Sequence, residues 1–166
     1  METHEVFIKR SFELAEQSVD SGDHPFGALI VDENNQIVSK GLNTGKKDIV
    51  GHAEINAIRK MISLNPEKKD YSKYTLYTNF EPCAMCSFII RDVGIGRVVY
   101  SGKSPFWGGV SRWNILTDTN IRPEFTTFGN STKPEIVAGV LSDVTNKKFS
   151  DLGWKMHIDK NERDNK

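Results

Sequence analysis

One histidine, one glutamate and two cysteines stand in two short motifs that could bind a metal and move protons. The motifs are His52-Ala53-Glu54 and Pro82-Cys83-Ala84-Met85-Cys86. Catalytic zinc has three protein ligands and one open position, whereas structural zinc usually has four. The chain has no third cysteine, and its other histidines lie far away in the sequence: His4, His24 and His157. We therefore predict a catalytic zinc site formed by His52, Cys83 and Cys86.

Glu54 is the candidate catalytic residue. It follows His52 by two positions, so its side chain leaves the backbone in another direction and is expected beside the metal rather than on it. Zinc lowers the pKa of a bound water, and a neighbouring carboxylate can accept the released proton. The same carboxylate can then protonate a ring nitrogen and a departing amine. This chemistry is a hydrolytic deamination.

Other interpretations of the cysteine pair remain open. A zinc ribbon would need a second cysteine pair, which the chain lacks. A thioredoxin-like redox pair would also follow a strand and begin a helix, but it gives His52 and Glu54 no role. Metal analysis distinguishes a redox pair from a zinc site, because a redox pair carries no stoichiometric zinc. A non-catalytic zinc module is the third interpretation, and it predicts no open metal position beside Glu54.

The elements that position these motifs alternate between helix and strand. The pattern predicts helices at 8–19, 52–61, 83–92, 111–116 and 142–152, and strands at 28–31, 36–40, 74–78, 97–101 and 135–140. A hairpin followed by such alternation implies a partly parallel sheet between helices. We expect an α/β fold with three α/β/α layers and a five-stranded mixed sheet. Both metal motifs begin a predicted helix, and such helix starts gather at one crevice.

Composition limits the function classes. Of 166 residues, 37% are hydrophobic and 27% charged, and no apolar run approaches the ~20 residues that span a bilayer. The charged N-terminus does not resemble a signal peptide, so we expect a cytoplasmic protein without membrane contact. We predict one domain over 1–158 and a polar, disordered tail over 159–166. A net charge of zero disfavours a nucleic-acid substrate, because affinity for phosphates usually needs a basic face.

The motifs resemble the cytidine deaminase-like superfamily, whose signature is H-x-E followed by P-C-x-x-C. The resemblance is to the branch of guanine deaminases, fungal-type cytosine deaminases and transfer-RNA adenosine deaminases, and it spans about residues 5–155. It rests on Pro25-Phe26-Gly27-Ala28, Asn43, His52-Ala53-Glu54-Ile55, Leu76-Tyr77, Glu81-Pro82-Cys83-Ala84-Met85-Cys86 and Gly96-Arg97-Val98. It implies a cytidine deaminase-like fold, a Zn²⁺ cofactor, Glu54 as proton shuttle and a homodimer whose partner completes a shallow pocket.

The resemblance also implies how the substrate is held. Asn43 would hydrogen-bond it, the backbone N–H of Ala53 would hold a ring carbonyl or nitrogen, and Phe26 would line the pocket. Without the resemblance, Asn43 is an ordinary loop residue before Gly45, and Phe26 is equally explained by core packing.

The segment 104–114 is expected to choose the substrate. It contains aromatic side chains that could stack on a base and hydrogen-bond donors on Arg112 and Asn114. We expect Trp107 and Asn114 to contact the substrate. The alternative is that Trp113 packs in the core and Gly108-Gly109 is only a turn. Phe26 stands where members acting on transfer RNA tend to have Val. We therefore expect a free nucleobase or nucleoside substrate, with a purine such as guanine preferred, and a transfer-RNA adenosine as the alternative.

Overall fold

Five strands form one mixed sheet, as the sequence predicts. In a computed structural model, which describes residues 2–125, 128 and 133–151, the strands are β1 (Gly27–Val31), β2 (Ile37–Leu42), β3 (Thr75–Phe80), β4 (Arg97–Gly102) and β5 (Glu135–Ala138). Their spatial order is β2-β1-β3-β4-β5. β1 pairs antiparallel with β2 and β3, whereas β3, β4 and β5 are parallel. The predicted fold class is therefore confirmed.

Helices cover both faces of this sheet. They are α1 (Glu2–Asp20), α2 (Ala53–Leu64), α3 (Ala84–Val93) and α4 (Ser142–Asp151), with a short 3-10 helix at Pro123–Phe125. Successive strand residues face opposite sides, so Leu76 packs with α2 and α3 while Tyr77 packs with α1. α4 lies on the α1 side, where Lys148 Nζ is 2.6 Å from Glu16 Oε1. The result is the expected α/β/α arrangement.

The strand directions bring both metal motifs to one edge of the sheet. β3 ends at Phe80, and the chain passes through the second motif into α3. Because β1 is antiparallel to both neighbours, the start of β1 and the end of β2 lie at this same edge. Asn79 fixes the junction: its Oδ1 accepts the N–H of Gly27 at 3.0 Å, and its Nδ2 donates to the Pro25 carbonyl at 2.9 Å.

Gly41 allows α2 to lie directly against β2. A Cβ atom at this position would overlap the backbone of Ala53 and Ala57. β2 continues to Leu42, two residues beyond its predicted end at residue 40. This contact fixes the beginning of α2, and with it the position of His52.

The helix predicted at 111–116 is wrong. The segment 104–118 instead forms consecutive turns, and Asn114 has a left-handed φ of 54°. The Leu116 N–H, which an α-helix would direct to the carbonyl of Arg112, donates instead to that of Gly109 at 3.0 Å.

Near the end of the chain, one strand boundary departs from the prediction. β5 ends at Ala138 rather than at Val140, because Gly139 adopts a φ of 80°. The predicted disordered tail, 159–166, lies outside the described residues. Within the described part, no helix has the length and apolar character needed to cross a bilayer.

We predict that Gly41→Ala destabilises the protein by roughly 1–3 kcal/mol. The added methyl group has no space against α2, so the helix or the strand must move. Urea denaturation followed by circular dichroism measures the change. Lys40→Ala is the control, because Lys40 is an exposed neighbour on the same strand. Equal stabilities of the two variants would contradict the close approach.

Candidate functional site

His52, Cys83 and Cys86 converge on one point. The Nδ1 atom of His52 lies 3.5 Å from each sulfur, and the two sulfurs are 3.6 Å apart. Zinc bonds of the usual lengths in a tetrahedron separate such donors by about 3.5–3.8 Å. Among the described residues, no fourth His, Cys, Asp or Glu joins this group. The donor set therefore fits a zinc ion with one position left for water.

Two helix N-termini hold these donors. His52 is the N-cap of α2 and Cys83 the N-cap of α3, and neither side chain caps its own helix. Helix N-termini carry partial positive charge, which favours thiolates. The hydrogen bond between the two sulfurs lowers the pKa of Cys83 to about 4, whereas the same bond and burial hold the pKa of Cys86 well above its ordinary value. The protein thus supplies one thiolate before any metal binds.

Glu54 lies in the first turn of α2, beside the donors but outside the metal group. Its Oε2 accepts a hydrogen bond from the Cys86 thiol at 3.6 Å, and its side chain faces the adjoining cavity. Burial, followed by the negative charge of Cys83, raises the pKa of Glu54 to about 7. A carboxyl group with this pKa can both accept and release a proton near neutral pH.

The donors open onto a cavity of about 630 Å³, a size typical of small-molecule sites. Phe26 and Phe80 line one part of it. The segment after β4 contributes Phe106, Trp107 and Trp113 to the lining. None of its described lining residues is lysine or arginine. The cavity is therefore suited to a flat, uncharged ring.

The structure brings most of the predicted substrate-contacting residues to this cavity. Phe26, Asn43 and Trp107 line it. Ala53 is buried and is not among the lining residues, but as the first residue of α2 it has an N–H without an acceptor in the helix. Asn114 is not brought to the cavity: it is exposed, lies outside the lining and accepts a hydrogen bond from the Thr117 hydroxyl.

The alternatives for the aromatic residues are resolved differently. Trp113 is 54% exposed, which contradicts packing in the core. Phe26 lines the cavity and also packs against Phe80 and Phe149, with ring centroids 6.2 and 5.8 Å away. Phe26 thus belongs to the core and to the cavity wall at once.

Glu81 is the residue whose role the sequence did not reveal. Its buried carboxylate accepts the N–H groups of Ser104, Val110 and Ser111 at 2.7–2.9 Å, and the Ser111 hydroxyl at 2.6 Å. A side chain on Gly108 would overlap this carboxylate. Glu81 therefore ties the wall segment to the metal-binding turn. Its place immediately before Pro82-Cys83 was the only sequence signal.

Backbone hydrogen bonds make the same connection. The Ala84 N–H donates to the Trp107 carbonyl at 3.0 Å, and the Gly109 N–H donates to the Pro82 carbonyl at 2.8 Å. Farther along, the buried Arg91 of α3 donates through Nη1 to two carbonyls of the segment, at residues 115 and 118, both at 2.8 Å. The cavity wall and the zinc-binding helix consequently form one hydrogen-bonded unit.

Residues 1–102 match the family model of the cytidine and deoxycytidylate deaminase zinc-binding region, and this range includes every metal donor. The chain belongs to this family. It is accordingly a zinc-dependent deaminase, an aminohydrolase, as the motifs predicted.

Relatives within this deaminase family act on different substrates. A probable cytosine deaminase of Schizosaccharomyces pombe is 40% identical to this chain. The alignment covers 67% of this chain and 62% of that relative's length. A tRNA-specific adenosine deaminase of Haemophilus influenzae is 30% identical over 96% of this chain and 88% of its own. The crystal structure of guanine deaminase from Bacillus subtilis superposes with a TM-score of 0.57, at 31% identity over 75% of this chain and 81% of its own.

We predict that Glu81→Gln lowers kcat/KM by roughly tenfold to hundredfold while zinc content stays at the wild-type level. The amide NH₂ cannot accept the hydrogen bonds that one carboxylate oxygen now accepts, and each lost bond weakens the anchoring of the cavity wall. Steady-state kinetics and metal analysis measure the two quantities. Glu67→Gln, at an exposed position, is the control. Unchanged kinetics, or loss of zinc, would contradict the anchoring role.

Proposed function

We propose that the chain deaminates a free nucleobase or nucleoside, with a purine such as guanine as the first candidate. The observation that carries this proposal is the cavity itself, which is lined by aromatic rings and, among described residues, by no lysine or arginine. Aromatic faces stack on any base, whereas recognition of a phosphate backbone normally requires cationic side chains. The guanine deaminase of B. subtilis supports a purine as the first candidate.

In this proposal His52, Cys83 and Cys86 bind the zinc ion. When bound, zinc supplies Lewis-acid activation of a water molecule near neutral pH. The thiolate of Cys83, stabilised at the N-terminus of α3, offsets part of the metal's charge. The Cys86 thiol would have to lose its proton to bind the metal, so zinc affinity should rise with pH.

Glu54 moves the protons. Its carboxylate takes one proton from the attacking water and delivers it to a nitrogen of the ring. The same carboxylate then takes the second proton, from the hydroxyl group now on the ring carbon, and passes it to the amino group, which leaves as ammonia while a carbonyl remains. One residue suffices because it faces the cavity next to the metal donors, and burial raises the pKa of its carboxyl group, which favours proton release as well as uptake near neutral pH.

The remaining groups hold the base. Phe26 and Trp107 are the candidate stacking faces, Asn43 a side chain that hydrogen-bonds the ring edge, and the Ala53 N–H a donor to a ring carbonyl or nitrogen. These groups act on parts of the base away from the amino carbon, so they orient that carbon toward Glu54 and the metal.

A transfer-RNA adenosine is the second candidate substrate. The tRNA-specific adenosine deaminase of H. influenzae, matched over most of both chains, favours it. The zero net charge of the chain and the absence of basic residues from the described cavity lining weigh against it. An RNA substrate would show steeply salt-dependent binding, whereas a free base would not.

We also propose that two copies of the chain associate at the cavity mouth. Three exposed apolar side chains of the cavity lining support this: Ile49 is 88% exposed, Trp107 61% and Trp113 54%. Apolar groups concentrated at one place on a surface favour an interface. A second copy covering them would exclude water from the reacting ring.

Ammonia release across a panel of bases, nucleosides and RNA hairpins tests the proposed function. We expect turnover of at least one free base or nucleoside, and Glu54→Gln should reduce it by roughly 10²–10⁴-fold because the amide cannot shuttle protons. Zinc content of the variant should stay at about one per chain, as expected for a residue that is not a ligand. Exclusive turnover of RNA hairpins would establish the second candidate, and an active Glu54→Gln variant would assign proton transfer to another group.

If two copies of the chain associate, light scattering or sedimentation should give the mass of a dimer at micromolar concentration. Ile49→Glu should produce monomers and reduced turnover, because it places a charge in the apolar contact. Val6→Glu is the matched control: Val6 is an equally apolar, 50% exposed residue on α1, outside the cavity lining. A fully active wild-type monomer would contradict the proposal.

A further inference from the structure

Asp23 and Asn43 form a hydrogen-bonded side-chain pair at the cavity wall. Asn43 lines the cavity, whereas Asp23 does not. The Nδ2 atom of Asn43 lies 2.6 Å from Oδ1 of Asp23. Asp23 follows the end of α1, and Asn43 directly follows β2, so the pair joins two loops at the edge of the sheet where the metal donors lie.

Chemistry fixes the orientation of the Asn43 amide. An ionised carboxylate has no hydrogen to donate, so the end of the amide that faces it at this distance must be the NH₂ group. Partial burial acts to raise the pKa of Asp23, but hydrogen bonds from the N–H groups of His24 and Lys46 and from Asn43 outweigh it, and the pKa lies below its ordinary value. Asp23 is therefore the acceptor at neutral pH.

The other end of the amide is consequently an acceptor without a protein partner. Asn43 is only 4% exposed, and no donor among the described residues reaches its Oδ1. Among the described residues, Asn43 Oδ1 is not one of the unpartnered atoms that are fully buried, so it keeps some accessible surface. Since the residue lines the cavity, the accessible surface of Oδ1 is available to a molecule in that cavity.

The frame around the pair is rigid, so the amide cannot turn over easily. The backbone N–H of Asn43 donates to the Ser18 hydroxyl at 3.0 Å. Asp23 is held in turn, because its Oδ1 accepts the His24 N–H at 2.8 Å and its Oδ2 the Lys46 N–H at 3.1 Å. Exchanging the two ends of the Asn43 amide would place a carbonyl oxygen against a carboxylate and lose this hydrogen bond.

We infer that Asp23 is a positioning residue that directs Oδ1 of Asn43 to the cavity, where this oxygen accepts a hydrogen bond from the substrate. The inference rests on the proposed function and narrows its substrate class. The substrate must present an N–H or O–H donor to Asn43: a ring N–H, an exocyclic amino group that is not removed, or a ribose hydroxyl. A ring edge that offers only acceptors at this point is rejected, because Asn43 Oδ1 would be desolvated without a partner.

An exchange of the two side chains tests the polarity. Asn43→Asp alone places two carboxylates against each other, and Asp23→Asn alone places two amides in contact; each should lower kcat/KM by roughly tenfold to hundredfold. The double variant Asp23→Asn/Asn43→Asp restores a donor facing an acceptor and keeps an oxygen toward the cavity. It should recover at least tenfold over Asn43→Asp, although not fully, since the amide NH₂ introduced at position 23 cannot accept the His24 N–H. If Asn43 normally donates to the substrate, the carboxylate of the double variant cannot replace it, and no recovery occurs.

Substrate analogues provide a second measurement that does not depend on the double variant folding. In the best substrate, each donor is removed singly: a ring N–H by N-methylation, an amino group by hydrogen, a hydroxyl by deoxygenation. One of these changes should cost the wild type roughly tenfold or more and cost Asn43→Ala little, and its identity distinguishes base from ribose. If no donor is coupled to Asn43 in this way, the inference is overturned, whatever the double variant does.

Asp48→Asn is the matched control, because Asp48 lies in the same loop but binds Arg59 and the N–H of Val50 rather than Asn43. It should leave kcat/KM and analogue discrimination unchanged. Zinc content should be constant in all these variants. A wild-type protein that releases no ammonia from any base or nucleoside would refute the proposed function, whereas an active wild type without coupling to Asn43 would refute this inference alone.

Discussion

The separation of the three metal donors is the constraint on which the rest of the structure depends. They come from two helix starts and lie within 3.5–3.6 Å of each other, and metal–ligand distances tolerate deviations of only about 0.2 Å. The sheet meets this requirement from both sides. Gly41 lets α2 approach β2 closely, which fixes His52, and β3 ends immediately before the turn that carries Cys83. The strands β4 and β5 run parallel to β3 and extend the sheet beyond it.

Two buried glutamates near this centre have different roles because their partners differ. Glu81 accepts four hydrogen bonds from one segment, so its carboxylate is fully occupied in holding the cavity wall. Glu54 is bonded by the Cys86 thiol, faces the cavity and has a pKa raised to about 7 by burial. In the proposed function this carboxyl group is the one that exchanges protons. The surroundings of each carboxylate, rather than the residue type, separate the anchor from the acid–base group.

Much of this arrangement is predictable from sequence, because its signals are local. Zinc ligands are recognised by type and spacing, and strands and helices by alternation and helical periodicity. The segment 104–118 was not predictable for the opposite reason. Its turns depend on a carboxylate 23 to 30 residues earlier and on Arg91 of α3, 24 and 27 residues away from the carbonyls it binds. The same applies to Gly41, whose meaning appears only once α2 is packed on it. Asn114, predicted to contact the substrate, has a left-handed backbone and lies outside the cavity lining.

The separation of chemistry from selection explains how one zinc centre can serve relatives with cytosine, guanine and transfer-RNA adenosine as substrates. Zinc and its proton shuttle act on the amino carbon of any such ring, so they cannot discriminate. The groups suited to discrimination lie on two other segments, each attached by its own carboxylate: the loop after β2 by Asp23 and the segment after β4 by Glu81. Neither carboxylate belongs to the group of metal donors. Either segment can therefore change its side chains while the donors keep their separations, which lets specificity vary at little cost to the metal site.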